Sequence, residues 1–330
     1  VFYTLNTFVH FSFLNTAASP AGIAVIHSLF NIGATILLFP FANLLEKMAI
    51  LAIPDKGSEV EEMEEEKINP DLARLDERFL DKPGFAMEEC RGVAINMARK
   101  SKKAMNLAID LLKEYDEKTS ARVEKLENQI DQYEDALGTY LVKLSERDLS
   151  VKDSRILSVL LHCIGDFERI SDHAVNIRDA AVEMNKKNLQ FSDKAKQELL
   201  VFSNAIRDII DRAVLAFETG DTGLAKEVEP LEQVVDALNK EEKQRHINRL
   251  RTGTYTIELG FVLSDISTNF ERAADHCSNI AVCLLQVDEG GFDTHEYLDI
   301  LKEENSEEFR HEYMELSEKY TLPESKHGGK

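Results

Sequence analysis

Glu168, Asp172 and Asn176 stand four residues apart in FERISDHAVNI (167–177), and Glu271, Asp275 and Asn279 repeat the spacing in FERAADHCSNI (270–280). On an α-helix each four-residue step advances 40°, so such a triplet lines one face over about 12 Å with two carboxylates and an amide. Two further pairs share the spacing, Glu127 with Asp131 in ENQID and Glu232 with Asp236 in EQVVD. Carboxylates gathered on facing helices raise one another's pKa unless a cation neutralises them. Oxygen-rich sets favour hard cations such as Mg²⁺, Mn²⁺ or Ca²⁺, or carboxylate-bridged iron, over zinc. The competing reading is a solvated face whose acids pair with Arg169, Arg178 and Arg272, the usual meaning of charge at this spacing on a single helix. Duplication of the pattern favours a metal patch.

Other chemistries lack their residues. A ferritin-type di-iron oxidase needs Glu-x-x-His on two helices, whereas His173 and His276 lie five positions after Glu168 and Glu271, off the acid face. Packing or capping roles suit these histidines better than ligation. No nucleophile–base arrangement, HExxH or glycine-rich phosphate loop occurs, so the chain is not expected to be an enzyme.

The elements that must position these acids are helices. From about Ala86 to Leu285 apolar residues recur at three- and four-residue intervals, as in Ile156, Leu157, Leu160, Leu161, Ile164, Phe167, Ile170 and Ala174. Breaks at 145–154, 184–193, 219–223 and 250–254 predict long helices, three before Met184 and three after it. The two acid-pair elements lie 105 residues apart and the two FER elements 103 apart, which marks a repeat. The fold class predicted is all-α, a membrane-helix remnant followed by two three-helix bundles in tandem, a six-helix domain over 86–288 with repeats 86–188 and 189–288.

Charge divides the chain. It has 39 basic and 60 acidic residues, a formal net charge of −21, which excludes nucleic acid as a partner because phosphate binding rests on clustered Lys and Arg. No charged residue occurs from Val1 to Leu45, and Ala21–Asn43 is long enough to cross a bilayer. Residues 1–55 therefore read as a membrane segment, with no basic n-region to suggest a signal peptide. GSEVEEMEEEK (57–67) reads as a self-repelling linker, and 56–85 as linker and bridge. Residues 289–330 read as an acidic helix or two and a tail, TLPESKHGGK, without structural signal. Cys90, Cys163, Cys277 and Cys283 form no CxxC pair and are read as reduced thiols.

The FER elements resemble the paired signature of PhoU-type phosphate regulators, which implies a six-helix tandem bundle holding metal clusters on E-x-x-x-D-x-x-x-N faces. The resemblance covers roughly residues 86 to 288. It implies metal-binding positions at Glu168, Asp172, Asn176, Glu271, Asp275 and Asn279, with Asp131 and Asp236 on the preceding helices; Glu127 and Glu232 are added from spacing. AVIHSLFNIGATILLFPF (24–41) and LDERFLDKPGFAMEECRG (75–92) resemble the last core helix and bridge of bacterial sodium/phosphate cotransporters. That similarity implies a C-terminal transporter fragment in the cell membrane, its bundle cytoplasmic, with sodium and inorganic phosphate handled by an upstream core. Fe, Mn or Mg is the implied cofactor, and a second copy or a signalling protein the implied partner. His27 and Asn31 share a face of the membrane helix and are candidates for transport contacts, although interhelical bonding accounts for them more simply. The alternative is an interaction module of phosphate signalling with no metal site.

Overall fold

The computed structural model describes residues 69–252, 256–289 and 307–323, together with 27, 28, 31, 32 and 35, which are helical. Two units are separated by their contacts, Val1–Glu66 and Lys67–Lys330. Among the described residues no helix is long and apolar enough to cross a membrane. The run Ala21–Asn43, expected to be a membrane helix, lies outside them apart from those five positions, and so does the linker 57–67. His27 and Asn31 are hydrogen-bonded to each other at 3.0 Å, as residues four apart on a helix can be.

The described part of the second unit is all helical. Its elements are α1 (Pro83–Leu111), α2 (Glu117–Ser145), α3 (Val151–Lys187), α4 (Asp193–Thr219), the short α5 (Thr222–Lys226), α6 (Val228–Arg251), α7 (Ile257–Glu289) and α8 (Glu307–Lys319). Helices α1, α2 and α3 form one three-helix bundle; α4, α6 and α7 form another, and α3 packs along α7 to join them. The break between α1 and α2 falls at 112–116, a stretch whose lack of Gly and Pro hid it in the sequence. There Asp116 caps α2 by accepting from the Thr119 amide at 2.8 Å.

Starts and stops follow local chemistry. Pro83 occupies the first turn of α1, where its missing N–H costs nothing. Ser150, Ser192 and Asp221 cap α3, α4 and α5 through their side-chain oxygens, each cap contributing about 1 kcal/mol. Asn188 (φ 52°) and Gly220 (φ 68°) end α3 and α4 in the left-handed conformation that favours these residues.

The FER phenylalanines lie in the continuous core that joins the two bundles. Phe167 and Phe270 are fully buried and meet α4 edge-on, Phe167 against Phe217 at 4.9 Å and Phe270 against Phe202 at 5.2 Å. Burying such a side chain is worth about 1.5–3 kcal/mol in transfer alone, so each acid face is carried by a helix pinned at its neighbouring residue.

Both flanks pack against the bundles, and Glu307–Lys319 is a helix within the segment expected to hold one or two. Residues 69–82 run against the first bundle: Tyr133 donates to Asp71, Tyr140 to the Asp76 carbonyl at 2.9 Å, and Arg74 bonds Glu89 at 2.5 Å. Gly92 leaves room for that arginine, since a Cβ there would come within 2.7 Å of Arg74 Nη2. At the other end α8 packs on α6. Leu316, Tyr320 and Leu322 are buried, and Arg245 Nη1 bonds the Pro323 carbonyl at 2.6 Å. The start of TLPESKHGGK is therefore ordered by two partners that its composition could not announce.

Gly220 has space for a methyl group, its nearest neighbour being Arg91 Nη2 at 4.0 Å, so only the backbone conformation resists substitution. Gly220→Ala is expected to lower stability by about 1 kcal/mol, a fall in Tm of roughly 2–4 °C, read by thermal denaturation. An unchanged Tm would mean that the left-handed cap is not required.

Candidate metal centre

The acids of the first repeat do converge. Glu127 and Asp131 of α2 and Asp172 of α3 each place a carboxylate oxygen within 4.8 Å of the others. Asp131 Oδ1 is buried and accepts no hydrogen bond. Glu168 stands one turn before Asp172; burial, then the Asp172 charge, push its carboxyl up to about 7 against the opposing effect of Arg169. Burial and the charges of Asp131 and Asp172 raise Glu127, and burial, Asp172 and Asp135 raise Asp131.

Arg169 is paired with this face. Arg169 lies 3.3 Å from Glu168 and 3.1 Å from Asp172, with 60% of its side chain exposed. An exposed pair of this kind contributes about 0–1 kcal/mol, and one guanidinium cannot neutralise four carboxylates. The other expected local partner, Arg178, pairs with Glu124 and with Asp179 and opposes the rise at Glu127 only through its charge. An all-oxygen donor set with a buried, unsatisfied carboxylate atom fits a hard cation.

The second repeat assembles less tightly. Burial, then Glu271, raise Asp275; Asp236 and Glu229 add to the rise and His276 opposes it. Asp236 pairs with Lys240 at 2.5 Å. Lys240 takes the repeat position of Asp135, so a cation stands in one repeat where an acid stands in the other. Among the described residues no second group of three carboxylate oxygens lies as close as the first.

Glu229 was not singled out from the sequence, yet it is 4% exposed and accepts from Ser278 Oγ at 2.6 Å. The available signal was its register: it lies 105 residues after Glu124, the same offset as the acid pairs.

Asn176 and Asn279 serve the junction between repeats. Asn176 Nδ2 donates to Asn269 Oδ1 at 3.0 Å, and Asn279 Nδ2 to Asp166 Oδ1 at 3.3 Å. His173 Nδ1 is 2.8 Å from Asn269 Oδ1, His276 Nδ1 is 2.8 Å from Asp166 Oδ1, and the two rings stack with centroids 5.5 Å apart. The histidines are thus packed at the seam, as their spacing implied. Burial, relieved in part by Asn269, holds the His173 pKa below its ordinary value.

A duplicated three-helix bundle with acid faces on corresponding helices defines the class of fold, and comparison with known proteins gives its family. The PhoU domain profile matches residues 94–181 and 199–284, more than half of the chain. The chain belongs to the PhoU domain family. It is 23% identical over 188 residues to the phosphate-specific transport system accessory protein PhoU homolog 1 of Thermotoga maritima, covering 57% of this chain and 80% of that one. It is also 23% identical over 219 residues to the PhoU homolog of Pseudomonas aeruginosa, covering 66% and 90%. The crystal structure of PhoU from Pseudomonas aeruginosa superposes with a TM-score of 0.58 at 22% identity, over 62% of this chain and 97% of that one. The phosphate transport system regulatory protein PhoU from Streptococcus pneumoniae gives 0.58 at 16% identity, over 64% and 99%.

The raised carboxyls set a pH dependence for the metal-free protein. Glu168 binds its proton more tightly folded than unfolded, so its contribution is complete below the ordinary glutamate pKa near 4.5 and is lost as pH rises through about 7. Without metal, Tm is expected to fall across this window, and Glu168→Gln to flatten the fall. An unaltered profile in that variant would mean that Glu168 does not titrate as its surroundings require.

Proposed function

We propose that the chain is a regulatory module of phosphate transport that works by contact with a transporter or signalling protein and performs no catalysis. The match of both repeats to the PhoU domain carries this reading, and relatives named as accessory proteins of phosphate-specific transport support it. In this reading the bundle lies on the cytoplasmic side.

The acid faces supply the control element. Glu127, Asp131, Glu168 and Asp172 would hold a hard cation, Mn²⁺, Mg²⁺ or iron, and Glu271, Asp275, Asp236 and Glu232 a weaker second one. Bound there, the ion would neutralise carboxylates that otherwise repel across α2 and α3. Asn176 and Asn279 would act on the same faces from the seam. The support is the convergence of three carboxylate oxygens on a buried acceptor with no donor. An interaction module without metal is the reading this opposes.

Metal saturation separates the two. At a hundredfold excess over its Kd an ion stabilises by about 2.7 kcal/mol, so Mn²⁺ is expected to raise Tm by roughly 5–10 °C. Asp131→Asn with Asp172→Asn should abolish most of that rise and leave helix content intact. An equal rise in the variant, or none in the parent, contradicts the metal-dependent form. Deleting the protein from cells that make it should change the rate of phosphate uptake, and unchanged uptake contradicts the regulatory reading itself.

A second reading, that the chain ends a sodium/phosphate cotransporter, is favoured by the uncharged stretch Val1–Leu45. There sodium and phosphate would pass through an upstream membrane core, and His27 and Asn31, bonded to each other, would brace a helix against it. Upstream sequence with a multi-helix membrane core would support this reading, and upstream sequence without one would exclude it.

A further inference from the structure

Acidic in composition, the chain nevertheless builds a cavity with three cations in its wall. A space of about 640 Å³ opens where α3 begins and α4 ends, and its lining includes Arg91, Lys152 and Arg155 but no acidic residue. Acids outnumber bases 60 to 39 in the chain; a second cavity, with Lys113 and Lys196 in its lining, also lacks them, so what sets this one apart is two arginines and a lysine together. Three acids near it along the chain have other partners. Asp153 accepts from Ser150 Oγ at 2.7 Å, Glu218 is held by Arg99 at 2.8 and 3.1 Å, and Asp221 caps the Gly223 and Leu224 amides. Among the described residues no carboxylate pairs with Lys152 or Arg155. Arg91 is oriented by a bond from Nη2 to the Glu218 carbonyl at 3.2 Å.

The rest of the wall is apolar, with Ile156, Leu160, Phe217 and Leu284 among its residues. We propose that this cavity binds a phosphate ester with an apolar or flat organic body. Two guanidinium groups and an ammonium match a dianionic phosphate, and the first turn of α3, with its positive dipole end, lies on the same side. The volume is in the range of small-molecule sites, roughly 300–1,000 Å³. Inorganic phosphate alone would leave the apolar wall unused. This site shares no residue with the acid faces and stands independently of their metal.

The test is calorimetric titration of the purified chain in metal-free buffer with AMP, with monomeric lysophosphatidate and with inorganic phosphate. At least one ester is expected to bind more tightly than inorganic phosphate, AMP identifying a soluble nucleotide source and lysophosphatidate a lipid one. Lys152→Glu with Arg155→Glu, both exposed and outside the core, should weaken the ester about tenfold or more and leave the Mn²⁺ response and helix content unchanged. No binding by either ester, inorganic phosphate binding as tightly as both, or an unweakened double variant would overturn the proposal.

Discussion

The stacked pair His173 and His276, with the Asp166 and Asn269 side chains that each ring meets, sets the register of α3 against α7. Everything else about the acid faces depends on that register. Positions 166, 173 and 176 fall within about 80° of one another on a helical wheel, whereas 168 and 172 lie roughly 100–140° from 173. One helix therefore turns a polar seam to its repeat partner and an acid face to α2. Asn176 falls between the two, which is why its spacing allied it with the acids while its amide nitrogen serves the seam.

Duplication preserved the backbone plan and allowed the surroundings to diverge. Glu124 pairs with Arg178 in the first repeat; at the corresponding positions of the second stand Glu229, buried against Ser278, and Ala281. Asp135 faces the first acid group where Lys240 neutralises Asp236 in the second. The seam is asymmetric too, a carboxylate on one side and an amide on the other. Two faces with one motif thus differ in charge, and the first gathers its carboxylates more closely.

The helical class, the repeat and the convergence of Glu127, Asp131 and Asp172 were legible because periodicity and duplicated spacing are properties of the sequence itself. What was hidden depended on partners distant along the chain. Leu322 and Pro323 belong to a tail of loop composition, yet a core surface and Arg245 order them. Asp71 and Asp76 lie in a stretch broken by prolines, yet two tyrosines of α2 fix it. Glu229 has no local pattern beyond its offset from Glu124. The cationic cavity joins residues from four stretches of the chain, so no single window contains it.

The central claim, that the first acid face is a cation site, is met most directly by anomalous diffraction from crystals of the protein grown with Mn²⁺. The account predicts a manganese peak within coordinating distance of Glu127, Asp131 and Asp172, stronger than any at Asp275. Full-occupancy manganese elsewhere with none at this face, or a face still spanned by Arg169 alone at saturating Mn²⁺, would contradict it.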